Sequence, residues 1–134
     1  MNIRTTKTQW VTALTAVAIL SGTVGLLKAA DAKPKYTIKE VMEALHKGKE
    51  NIAKNAAAGK GTKEDFDKMV EYYSALPANK PEKGSAESWK EKTTKLLDAA
   101  KELQAGKPDA VAHFKEASNC KACHSEHQVK KEKQ

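Results

Sequence analysis

The stretch AESWKEKTTKLLDAAKELQA, residues 86–105, decides the fold. Its Trp89, Thr93, Leu96, Ala100 and Leu103 recur at spacings of four and three. That period puts them on one face of an α-helix. Gly106 stops the helix, and residues 77–85 ahead of it form a Pro/Gly/Lys loop without periodicity.

On the C-terminal side, Pro108 suits the first turn of a further helix. That helix buries Val111 and Phe114 and carries Cys120 and Cys123 near its end. On the N-terminal side, Thr62 followed by Asp65 reads as a capping box. The helix it opens buries Phe66, Met69, Val70 and Tyr73 and ends at Pro77. Earlier still, Thr37 is an N-cap and Gly59 a stop for a helix over residues 38–58. Its stripe is Ile38, Val41, Met42, Leu45, Ile52 and Ala56. No stretch reads as a strand. Four amphipathic helices, with two short connections and one longer one, predict an all-α, antiparallel four-helix bundle. The Lys-rich tail from Gln128 is expected to fray.

The 134 residues suffice for one domain. Aromatic residues make up 5% of them, whereas Ala and Lys abound. Helices rich in small residues give a thin core, to which a buried cofactor would add apolar contact. The net charge of +7 is spread along the chain, and Arg4 is the one arginine. Bidentate reading of bases or phosphates is therefore not expected, and nucleic acid is not an expected partner.

Residues 1–32 read as a signal peptide. Arg4 and Lys7 form a basic start, an apolar stretch runs from Trp10 to Leu27, and Ala30-Asp31-Ala32 is an A-x-A cleavage signature. The mature chain then begins at Lys33. The alternative is a retained anchor, since the apolar stretch approaches a membrane span. A membrane partner is expected only in that case. Either reading exports residues 33–134, to the periplasm or an equivalent space.

Cys120-Lys121-Ala122-Cys123-His124 is C-x-x-C-H, the haem-attachment pattern. Two thiols three positions apart on a helical turn reach the two vinyl groups of one porphyrin and form thioethers. The next residue, His124, is placed to ligate the iron from the proximal side. One covalent haem c is the expected cofactor. A bare C-x-x-C also serves redox dithiols and zinc sites. A dithiol oxidoreductase would need a thioredoxin-like sheet. A zinc site would have to use Cys120, Cys123, His124 and His127 at cramped spacing.

Haem attachment near the C-terminus of a four-helix bundle resembles the class II cytochromes c, the family of cytochrome c prime and its low-spin relatives. The resemblance spans residues 37–128. It includes Leu76-Pro77, Trp89 early in the third helix, and Ala117-Ser118-Asn119 just before Cys120. Two features depart from the family. His127 and Gln128 stand where members carry an aromatic and a basic residue. Lys39-Glu40 stands near the place of an Arg-Gln pair, so the family's propionate contacts do not transfer.

The resemblance puts the distal iron position on the first helix. Counting back from Gly59 by the family's spacing reaches Glu43, beside Met42. Low-spin members place Met there, and cytochrome c prime a non-ligating side chain. Met42 is the first candidate distal ligand and otherwise ordinary core packing. His46, one turn along the same face, is the alternative. An open site is the third possibility. His113 is expected in solvent and His127 near the haem edge.

The function expected is one-electron transfer by an exported monohaem cytochrome. Lys115, Lys121, Lys130, Lys131 and Lys133 would steer an acidic redox partner protein. No catalytic residue is expected, and the chain is not read as an enzyme. The alternative is a five-coordinate cytochrome binding nitric oxide or carbon monoxide. A non-haem metal module on Cys120, Cys123 and His124 is the third class. Dimers are common in the resembling family, which leaves a homodimer open.

Overall fold

A computed structural model of the chain describes residues 33–130, which are helical with no strand among them. The expected signal peptide and residues 131–134 lie outside the described residues. The helices are α1 (Ile38–His46), α2 (Ile52–Ala57), α3 (Lys63–Tyr73), α4 (Ala86–Gln104), α5 (Ala110–Ala117) and α6 (Cys120–His127), with a 3₁₀ turn at Leu76–Ala78. None of them is long and apolar enough to cross a membrane.

Local chemistry starts two helices where the sequence predicts. Thr37 Oγ1 accepts from the Glu40 backbone at 3.2 Å, and the Glu40 carboxylate accepts from the Thr37 backbone at 2.7 Å. Those bonds hold the Glu40 carboxyl below its ordinary range. Thr62 and Asp65 make the same reciprocal pair at 3.2 and 3.0 Å.

The predicted helix over residues 38–58 is broken. α1 ends at His46, Gly48 adopts φ +97°, and α2 restarts at Ile52. Gly48 takes a left-handed conformation that a continuing helix cannot hold. Asn51 then satisfies the freed groups: its amide donates to the carbonyls of His46 and Gly48 at 3.2 and 3.1 Å. Its Oδ1 accepts from the Lys54 backbone at 2.9 Å, capping α2.

The predicted last helix is broken too. α5 ends at Ala117, and Asn119 caps α6 by accepting from the Ala122 backbone at 3.1 Å. α5 also starts at Ala110, two residues after Pro108, because Asp109 is left-handed at φ 65°. α3 stops at Tyr73, and Pro77 sits in the 3₁₀ turn instead of ending the helix.

Every side chain assigned to an apolar stripe is buried or half-buried, with Val41, Leu45, Met69, Tyr73 and Phe114 fully enclosed, as is Leu76 of the 3₁₀ turn. α3 and α4 run antiparallel. Trp89, early in α4, donates its indole N–H to the Leu76 carbonyl at 2.8 Å, while Gln104 at its end donates to Asp67 at 2.7 Å. α5 packs on α4 and α2.

α6 is pinned to the start of α4 by polar groups. Glu126 takes Lys92 at 2.8 Å and the Ser88 hydroxyl. His127 is buried, donates from Nδ1 to the Lys83 carbonyl at 3.2 Å, and stands edge-on to Trp89 with centroids 5.3 Å apart. Gly84 makes room for this contact: at φ +83° a Cβ there would lie 2.6 Å from His127 Nδ1.

Candidate functional site

Both helix breaks open onto one cavity of about 960 Å³, framed by residues of α1, α2, α4, α5 and α6. Asn51 from the first break and Ser118 and Asn119 from the second lie in its wall. The apolar part of the wall comes from Met42, Ala53, Ala57, Leu96, Ala99 and Ala117. Small side chains on α2, α4 and α5 leave the space.

The structure brings Cys120, Cys123, His124, Met42 and His46 together around this cavity. The first three stand on one turn of α6, with Cys120 and His124 exposed and Cys123 half-buried. Burial pushes the Cys123 thiol up, while the nearby Lys92 ammonium pulls it back down. The Cys120 thiol donates to the Ser118 carbonyl at 3.3 Å. Met42 and His46 approach from α1, four positions apart and both half-buried.

His46 is the most constrained of the five. Its Nε2 lies 2.9 Å from the hydroxyl of Tyr73, which is fully buried behind it. Loss of water lowers the imidazole's pKa, and the like charge of His124 lowers it further. Desolvation pushes the Tyr73 phenol well above its ordinary range. Tyr73 was expected only as a core residue; its hydroxyl was the one signal of a second role.

His127 does not line the cavity. It is committed to Lys83, Ser88 and Trp89. His113 is exposed as expected and pairs with Glu102 at 2.7 Å, which raises its pKa. Lys115, Lys121 and Lys130 are exposed, whereas Lys131 and Lys133 lie outside the described residues. Lys54, Lys92 and Lys95, which the sequence did not single out, also line the cavity.

The donor set fits a haem better than a bare metal ion. Among the described residues, no three His, Cys, Asp or Glu side chains are grouped to hold an ion. A haem iron takes four ligands from its macrocycle and asks the protein for one or two. The His124 imidazole and the Met42 thioether could meet that need, and the two thiols on the His124 turn could tether the macrocycle. The cavity also falls within the size range of cofactor sites. Comparison of the chain with protein-family models, curated proteins and solved structures finds no match to any of them.

Proposed function

We propose that this chain is an exported monohaem c-type cytochrome that carries single electrons between partner proteins. The observation that carries the reading is the sharing of one cavity by the C-x-x-C-H turn of α6 and the Met42 face of α1. In this reading the helices group into a four-helix bundle of the class II kind. α1–α2 and α5–α6 are its broken rods, and haem c attaches near the end of the last.

Cys120 and Cys123 would hold the macrocycle, each thiol adding its S–H across one vinyl group to form a thioether, and His124 would supply an imidazole to the iron. Haem bound there would supply the one-electron couple between ferric and ferrous iron. The chain's part is to orient and exclude water: Ala53, Ala57, Leu96, Ala99 and Ala117 supply a dry wall. Met42 offers a thioether on the distal side, which favours a higher potential than a second imidazole would. The exposed Lys115, Lys121 and Lys130 bias approach toward an acidic partner. No acid–base chemistry is required of the site, so no enzymatic activity is proposed. Whether a leader over residues 1–32 is removed decides between a periplasmic and a membrane-anchored form.

A gas-binding cytochrome is the second reading, and the His46–Tyr73 contact favours keeping it. With Nε2 of His46 engaged, Met42 alone separates a six-coordinate site from an open one. Visible and near-infrared spectra of the oxidised and reduced protein test the choice. Electron transfer predicts a low-spin ferric form with the weak far-red band of sulfur–iron bonding. Met42→Leu should abolish that band, lower the potential and admit carbon monoxide. A wild-type protein that is high-spin and takes up carbon monoxide readily contradicts electron transfer and supports gas binding.

A further inference from the structure

We propose that Tyr73 is a positioning residue that keeps His46 off the iron. The inference rests on the haem reading above and concerns only which side chain of α1 the cavity offers. Met42 and His46 stand one helical turn apart on the same face and both line the cavity. By position alone either would serve, and imidazole is the stronger metal-seeking group.

The hydroxyl of Tyr73 breaks that symmetry. It lies 2.9 Å from His46 Nε2, the ring nitrogen that reaches furthest from the backbone. Tyr73 is fully enclosed, and its ring packs against Phe114 with centroids 6.3 Å apart. It is not part of the cavity wall, so it holds His46 from the core side. Turning Nε2 toward an iron would strip a buried hydroxyl of its partner, which carries the full desolvation penalty of that group. Phenylalanine at this position would keep the packing and remove the hold. His46 would then be free to swing out.

The test uses the full-length, haem-loaded chain and three variants: Tyr73→Phe, His46→Ala, and the two combined. Electron paramagnetic resonance and redox titration read the iron's ligands. The wild type should show no bis-imidazole signal, and His46→Ala should leave its spectrum unchanged. Tyr73→Phe should gain the bis-imidazole low-spin signal with a fall in potential. The combined variant should lose that signal and return to the wild-type spectrum. A Tyr73→Phe spectrum identical to wild type overturns the proposal, as does a His46→Ala variant that changes spin state on its own. Should the wild-type chain carry no covalent haem on a denaturing gel, the parent reading falls, an outcome distinct from either.

Discussion

α3 and α4 are unbroken helices that meet along an enclosed seam, whereas α1–α2 and α5–α6 are each interrupted where they border the cavity. The seam is held by large apolar groups: Met69, Tyr73, Leu76 and Trp89. The interrupted pairs are held by local polar bonds, through Asn51 at one break and Asn119 at the other. The difference separates stability from site-building. α4 serves both, since its Leu96 and Ala99 line the cavity, but a capped break redirects a helix's side chains toward the cavity without leaving backbone groups unpaired.

Four substitutions probe that division. Trp89→Ala strikes the seam, removing a buried indole that also donates to the Leu76 carbonyl. It should cost about 3–5 kcal/mol in chemical denaturation. Gly84→Ala strikes the docking of α6 and should cost at least about 1–2 kcal/mol from its left-handed φ alone. Hydrogen exchange should show α6 loosening while α3 and α4 stay protected. Asn51→Ala and Asn119→Ala remove one cap each, at about 1 kcal/mol apiece. If either variant is instead as damaging as Trp89→Ala, the breaks belong to the core and the division fails.

A smaller effect distinguishes His46 from His113 by sign. The folded pKa of His46 is lowered from 6.5 by burial. As pH falls through 6.5, the unfolded chain takes up a proton that the folded chain refuses, and stability drops until the folded pKa is reached. The pKa of His113 is raised by Glu102, so its contribution is complete in mild acid and is lost as pH rises through the folded value. Thermal melts from neutral to mildly acid pH should therefore flatten in His46→Asn and steepen in His113→Gln. The same slope in both variants would contradict the assignment.

The helical class was legible because Thr37, Thr62 and the apolar stripes encode it locally. The breaks were not. Leu45 and Ile52 lie seven apart, two helical turns, so the stripe runs in phase straight across Gly48 and Asn51. Asn119 is hidden in the same way, as a polar residue between Ala117 and Cys120 on what reads as one helix. Within the cavity, the C-x-x-C-H turn and Met42 stand out by residue type and spacing. The hold of Tyr73 on His46 joins residues 27 positions apart, and no local pattern carries it. The placement of His127 likewise depends on Gly84, in a loop without periodicity.

The central claim is that the cavity between α1 and α6 holds a covalently attached haem. Its most direct measurement is the intact mass of the denatured chain, matured in cells able to attach haem c. The account predicts the mass of the polypeptide plus one haem. It also predicts loss of that addition in the variant carrying both Cys120→Ala and Cys123→Ala. A wild-type chain bearing no haem after such maturation, or a double variant that retains it, would contradict the claim.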